Sequence, residues 1–371
     1  MCIPADPASN QNLKKESEPT METPKRQDQY GRWVTAGLTV RDANFSELPV
    51  IDFSAMHGND ETAKAALVEE LRKACVNVGF FYLKNHGVPQ AVVDRTFVKG
   101  KEFFTLPLGD KMTVAKAKTP GYGGYSPLQE ITGGRRTGGS LMEGFNMNLD
   151  LPANDPFVVS AKPLYNPNSW PAQPEGFRDA MLDYFTAMLD LGKKMFRALA
   201  LALNLPEDYF LPMVQKPIAL MRLNHYPHQA WPKDDLSIGT PAHTDYECFT
   251  ILCQQGDITA LQVQNGREEW VSVPPIPGTF IVNIADQMTR WTNEYFRSSM
   301  HRVVNQSGRD RMSIPFFYGT DYDTPISVLD SCMPADGKVK YEPVVAGEYI
   351  MSRINGVYGY DLSKKKQAAT S

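Results

Sequence analysis

The chain has 371 residues, 42% apolar and 22% charged, which is long enough to bury a large core and ordinary for a folded protein. Lysine and arginine number 38 against 42 acidic residues, so the net charge of -4 lacks the basic footprint of a nucleic-acid binder and gives no pull toward an anionic membrane. The five cysteines are scattered, with no Cys-x-x-Cys pair, which argues against a disulfide-stapled secreted domain or a zinc ribbon and for reduced thiols in the cytoplasm; no apolar run reaches the roughly 18–20 residues of a membrane span.

In chain order, residues 1–45 are polar and read as a disordered arm. They have neither the apolar run of a signal peptide nor the composition of a transit peptide. Residues 46–116 read as an α/β region. It opens on the strand-like run Leu48–Phe53, and the stripe Ala65, Leu67, Val68, Leu71, Ala74, Cys75, Val78 predicts a helix over 61–78 that stops at Gly79. Phe80–Leu83 reads as a buried strand, and a second helix is expected from Pro89 to Phe104.

Residues 117–172 are rich in glycine and then proline, and are expected to form an irregular, lid-like loop region. Within it Gly133–Gly139, with Arg135 and Arg136, lacks the Gly-Lys-Ser/Thr ending of a phosphate loop and fits a mobile lid better. Support helices follow over 173–217, with Phe177, Met181, Phe185, Met188, Leu191, Met195, Leu199 and Leu203 at helical spacing. From 218 to 320 the pattern changes to short strands separated by turns, as in a sandwich or barrel. Residues 321–371 carry a last helix near Ala346–Val357 and a tail.

The chemistry gathers in the strand-rich part. His243 and Asp245 are two residues apart, so on an extended segment both face the same way. His301 follows 56 residues after Asp245, and a strand that brings it alongside gives two histidines and one carboxylate on one face of a metal ion, with positions left open. By itself His-x-Asp is a weak signal. Arg311 and Ser313 add to it, because they too share a strand face and together hold a carboxylate well. Arg222, Asn224 and Tyr226 share a third face. Arg222 points either into the barrel, toward an acidic or phenolic substrate, or out to an exterior ion pair.

These segments lie in order along residues 48–357, together with Gly79–Val88, Glu143-Gly144-Phe145, Asn283–Asp286, Arg290–Asn293 and Ser298–Val304. In that order they resemble the isopenicillin-N-synthase-like branch of the Fe(II)/2-oxoglutarate-dependent dioxygenases. The resemblance implies an α+β fold with a double-stranded β-helix, or jelly-roll, core and flanking helices. It implies Fe(II) on His243, Asp245 and His301, the distal carboxylate of 2-oxoglutarate on Arg311 and Ser313, and Asn224 and Tyr226 near its other end. Oxidative decarboxylation of 2-oxoglutarate by O₂ would then be coupled to oxidation, foremost hydroxylation, of a C–H bond in a small organic substrate, as in specialised metabolism. Two positions depart from the family's usual residues: His225 replaces a tyrosine and Ala285 a glycine.

The resemblance further implies that Tyr122, Tyr125, Phe145, Met147, Phe317, Met351 and Asn355 border the substrate, with the aromatic lid suiting an aromatic or polyketide-like ligand. Other readings stay open at this point: an iron oxidase that closes rings without 2-oxoglutarate, or a catalytically silent metal-binding sensor. A zinc hydrolase leaves Arg311-Met312-Ser313 unexplained. No nucleic-acid or membrane partner is expected, and the oligomeric state is left open.

Overall fold

The computed structural model describes residues 25–27, 33–35, 40–42, 48–118, 122–128, 141–228 and 239–358. The helices are α1 (Glu61–Asn77), α2 (Gln90–Phe104), α3 (Leu108–Met112), α4 (Pro156–Val159), α5 (Phe177–Ala202), α6 (Asp286–Trp291) and α7 (Ala346–Tyr358). The first strands are β1 (Lys25–Gln27), β2 (Trp33–Thr35), β3 (Val40–Asp42), β4 (Val50–Asp52), β5 (Phe80–Lys84), β6 (Gly124–Ser126) and β7 (Glu143–Asn148). The barrel strands are β8 (Pro217–Tyr226), β9 (Thr240–His243), β10 (Phe249–Gln254), β11 (Leu261–Gln264), β12 (Trp270–Val273), β13 (Thr279–Ile284), β14 (His301–Val303) and β15 (Arg311–Asp321). A small ribbon, β16 (Pro325–Ile326) with β17 (Val344–Val345), precedes α7.

Two sheets face each other. The large one has the order β4-β5-β13-β10-β15-β8-β7-β6 and the small one β3-β12-β11-β14-β9. Side chains on a strand alternate between faces, and each face of the large sheet has its own apolar cluster. Phe81, Leu83, Ile251, Val282, Phe316, Leu223 and Met221 look outward onto α1, α2 and α5. Phe80, Tyr82, Ile281 and Tyr226 look inward and meet Leu261, Val263 and Val303 of the small sheet. This is a jelly roll backed by helices on one side, as expected.

Local chemistry explains the main helices. Asp60 caps α1 by accepting from Thr62 N and Ala63 N, and Gly79 ends it at φ +73°, a conformation that favours glycine. In α5 the stripe Phe177, Met181, Phe185, Met188, Leu191 and Met195 is buried against the sheet. The helix comes close enough at Gly192 that a Cβ there would lie 2.0 Å from Cε1 of Tyr318.

Three short strands lie within residues 1–45, the segment read from the sequence as a largely disordered arm; the rest of it lies outside the described residues. β3 pairs in parallel with β12, satisfying the backbone of an otherwise open edge, a bond that needs no apolar pattern in the sequence. The region 117–172 is also less irregular than expected. β6 and β7 extend the large sheet beside β8, and every residue of β7 is buried. The glycine run 133–139, Arg135 and Arg136, Cys2 and the tail after residue 358 lie outside the described residues. Cys75, Cys248, Cys253 and Cys332 are free thiols. No helix among the described residues is long and apolar enough to cross a membrane.

Candidate metal centre

β9 and β14 run antiparallel with His243 opposite His301, so the two imidazoles meet at 4.2 Å between ring centres. Asp245 follows β9 by two residues. Its Oδ1 lies 3.5 Å from His243 Nε2 and 3.6 Å from His301 Nε2, and one ligand atom from each of the three lies within 4.8 Å of the others. Each histidine turns its other nitrogen to the backbone: His243 Nδ1 is 2.7 Å from Pro241 O, and His301 Nδ1 is 3.2 Å from Ser299 O. Those bonds call for Nδ1–H and leave the Nε2 lone pairs facing Asp245. Asp245 Oδ2 is taken by Thr250 Oγ1 at 2.6 Å and Asn283 Nδ2 at 2.8 Å, which leaves Oδ1 for the shared centre.

The electrostatics suit a cation. Burial alone would raise the Asp245 carboxyl, but His301, His243 and Thr250 outweigh it and hold it well below the usual carboxylate range. Burial, with His243 nearby, pushes the His301 imidazole down to about 4, so it offers a lone pair at neutral pH. Two imidazoles and one carboxylate oxygen fit a divalent metal and leave further coordination positions open.

The carboxylate pocket lies on the inner face of the large sheet. Arg311 is opposite Tyr226, and Ser313 is opposite both Asn224 and Gln254. Arg311 is 1% exposed, and its Nη2 donates to Gln254 Oε1 at 2.9 Å. Its guanidinium stands 5.1 Å from the Tyr226 ring, but its Nε and Nη1 are buried without a partner. Asn224 Oδ1 beside it is also unpartnered. A buried guanidinium with two idle donors is costly unless a carboxylate arrives. The residues therefore fit a dicarboxylate that reaches from the metal to Arg311.

Arg222 lies on the same inner face as Asn224 and Tyr226, opposite Asn146 of β7. It packs under Gly144, where a Cβ would lie 2.8 Å from its Nε, and that Nε is buried without a partner. Of its two sequence readings, the inward one holds. Asn146 Oδ1 and Asn148 Nδ2 are unpartnered as well. Phe317 is on this face too, opposite Leu220 and Thr250. Tyr122 and Met351 join Leu164, Tyr165, Tyr349 and Ile350 in one cluster, with Tyr246 packed against it, and Asn355 Oδ1 on α7 is buried and unpartnered.

Tyr125, Phe145 and Met147 do not border this space. They are on the other face of β6 and β7, in the cluster under α2 and α5. Phe145 packs 5.3 Å from Phe103 and 5.0 Å from Phe177, and Tyr125 donates to Glu143 at 2.6 Å. Strand alternation is the reason: in β7 the odd-numbered residues face the helices, while Gly144 and Asn146 face inward. His225 is turned away from Asn224 and Tyr226, as the alternation predicts, and its Nδ1 is 2.8 Å from Glu143 Oε1. Thr250 and Gln254 escaped the sequence reading. Polar residues at alternate positions in the otherwise apolar β10 were the available signal.

Comparison with known proteins agrees with this geometry. Residues 48–173 match the model of the non-haem dioxygenase N-terminal region described for morphine synthesis, and residues 217–320 match the 2OG-Fe(II) oxygenase superfamily. A 2-oxoglutarate-Fe(II) type oxidoreductase of Emericella nidulans, hxnY, is 35% identical over 86% of this chain and 93% of its own length. A homoarginine-6-hydroxylase of Oryza sativa is 34% identical over 84% and 98%. The crystal structure of a full-length Neurospora crassa protein in complex with alpha-KG and thymine superposes with a TM-score of 0.75 at 27% identity, covering 85% of this chain and 99% of the other. The chain belongs to the Fe(II)/2-oxoglutarate-dependent dioxygenases, enzymes that use Fe(II), 2-oxoglutarate and O₂ to oxidise small molecules.

Proposed function

We propose that His243, Asp245 and His301 hold the Fe(II), and that Arg311 with Ser313 grips the distal carboxylate of 2-oxoglutarate; Asn224 and Tyr226, expected near its other end, lie opposite Ser313 and Arg311 and so stand beside the distal one. The observation that carries this reading is Arg311: a fully buried guanidinium with two idle donors, on the same barrel face as the residues that hold Asp245. Bound iron would supply the oxygen chemistry. The chain's own part is to set the neutral Nε2 atoms and Asp245 Oδ1 around one point, to orient both acids of the cosubstrate, and to shield the centre behind Tyr122, Tyr246, Tyr349 and Met351.

The substrate is a small polar molecule that is hydroxylated and presents an acceptor group to Arg222. The inward, unpartnered Nε of Arg222, with the unpartnered Asn146 Oδ1 and Asn148 Nδ2, supports this. It fits the relatives, one named for homoarginine and one crystallised with thymine. Free, largely buried thiols suit a reducing, cytoplasmic setting. The test is a screen of small polar acids, amides and heterocycles for substrate-stimulated succinate release with Fe(II), 2-oxoglutarate and O₂. Product formed at full rate without 2-oxoglutarate would overturn the Arg311 assignment. A hit lost in Arg222→Ala, with unchanged 2-oxoglutarate affinity, would support the substrate role.

A further inference from the structure

A cleft of about 460 Å³ lies between α6, α7 and the loop after α6. It shares no residue with His243, Asp245, His301, Arg311 or Ser313. Three guanidiniums line it: Arg290 from α6, Arg297 from the loop and Arg353 from α7. Arg290 and Arg353 both stand on the ring of Tyr349, at 5.3 Å and 5.0 Å, and Arg290 also lies 4.6 Å from the ring of Tyr341.

The acids in the cleft are already engaged. Glu294 takes Lys340 Nζ and the Tyr341 hydroxyl, and these hold its carboxyl below the usual range. Asp286 accepts from Ser298 Oγ at 2.8 Å and Thr244 Oγ1 at 3.2 Å, while its own N–H donates to Asp245 O at 3.0 Å. Arg290 and Arg297 make no ion pair among the described residues. Arg290 gives one nitrogen to Glu342 O, and its Nε is buried without a partner; Arg297 gives one to Asn77 O.

Positive charge is thus gathered, with Arg290 and Arg297 lacking a carboxylate, and aromatic plates keep water from part of the guanidinium faces. Like charges so placed repel one another unless an anion sits between them. We propose that the cleft is a second anion site, separate from the Arg311 pocket, that takes a small carboxylate or phosphate. Arg290 and Arg353 grip its oxygens from two helices, and Arg297 closes the rim. Occupancy then ties α7 to α6, whose first residue bonds the metal loop through Asp286 N–H to Asp245 O.

The test is calorimetric titration of the full chain, loaded with Mn(II) and saturating 2-oxoglutarate so that the metal and Arg311 are already occupied. Inorganic phosphate and benzoate are the two probes. Wild type should bind at least one of them saturably, and which one identifies phosphate or carboxylate as the ligand. Arg290→Gln and Arg353→Gln should each weaken that binding about tenfold, as loss of a charge-assisted pair implies, and exposed Arg297→Ala by about threefold. Arg267→Gln, which faces another pocket, should leave it unchanged. Should Arg290→Gln or Arg353→Gln fail to fold, Arg297→Ala decides the matter. No saturable binding by wild type up to ~10 mM, or wild-type affinity in the folded variants, overturns the proposal. Prior titration of 2-oxoglutarate itself checks the Arg311 pocket independently.

Discussion

Asp245 divides its two oxygens: Oδ2 is held by Thr250 and Asn283, and Oδ1 is left between the imidazoles. The triad was legible because His243 and Asp245 are neighbours on one extended segment and Arg311-Met312-Ser313 carries a second acid-binding signal. Thr250 and Asn283 reach Asp245, and Gln254 reaches Arg311, from other strands, and polar residues at alternate positions in β10 were the sole local sign of the first and last. The state of His301 gives a prediction. Its imidazole is pushed down to about 4 in the metal-free fold, against 6.5 in the unfolded chain. A depressed histidine contributes stability that is fully present above 6.5 and is lost as pH falls toward 4, because the unfolded chain then binds the extra proton. Metal-free protein should therefore lose melting temperature between pH 6.5 and 4, and His301→Asn should flatten that slope; an unchanged slope would contradict the burial argument. His301→Ala should fold yet lose Fe(II)-dependent turnover. At the other end of the pocket, Arg311→Lys keeps the charge but loses the planar fork. Losing a charged hydrogen bond costs about 1.5–3 kcal/mol, so the KM for 2-oxoglutarate should rise roughly tenfold or more while metal affinity stays unchanged.

Helix α5 and strand β7 show where pattern reading works and where it stops. The helical stripe from Phe177 to Leu203 is long and regular, and α5 covers all but its last residue, from Phe177 to Ala202. Gly192 sits within it for a reason the sequence does not display: the ring of Tyr318 occupies the space its side chain would need. Alanine there improves helix propensity by about 1 kcal/mol. Overpacking against a buried ring costs about 1–3 kcal/mol, and with the ring this close the clash should win. Gly192→Ala should thus lower the denaturant midpoint, and a raised midpoint would show that the helix can shift away. β7 was hidden because Glu143-Gly144-Phe145-Asn146-Met147-Asn148 looks too polar for a buried strand. Its polar residues are satisfied or waiting in place: Lys111 Nζ, Tyr125 and His225 converge on Glu143, and Asn146 looks into the barrel. Phe145 therefore belongs to the helix-side core. Phe145→Ala should cost about 3–5 kcal/mol of stability and leave the ratio of succinate to oxidised product unchanged. A changed ratio without lost stability would restore it to the lid.

At the scale of the molecule, two sheets bring β9, β14 and β15 around one interior, although His243 and Arg311 come from separate parts of the chain. The order of elements made the jelly roll legible through family likeness. The pairing of β3 with β12 was not, since backbone bonds at an edge leave no mark in composition. Closure of the barrel mouth falls between these cases. Tyr122 and Met351 were expected together near the substrate, and both lie in the cluster of Leu164, Tyr165, Tyr349 and Ile350, with Tyr246 beside the metal loop packed against it. Much of that cluster hangs on α7, which is anchored at its start by Gln287 Nε2 donating to Ala346 O at 2.9 Å. Ending the chain after Val345 removes Tyr349, Ile350 and Met351 but no residue of the triad or of the Arg311 pocket. Metal and 2-oxoglutarate affinities should remain near those of the full chain. An uncovered centre admits water, so succinate formed per oxidised product should rise several-fold while substrate affinity falls. Full coupling in the shortened chain would mean that the cover is built from elsewhere and that α7 serves only to stabilise the fold.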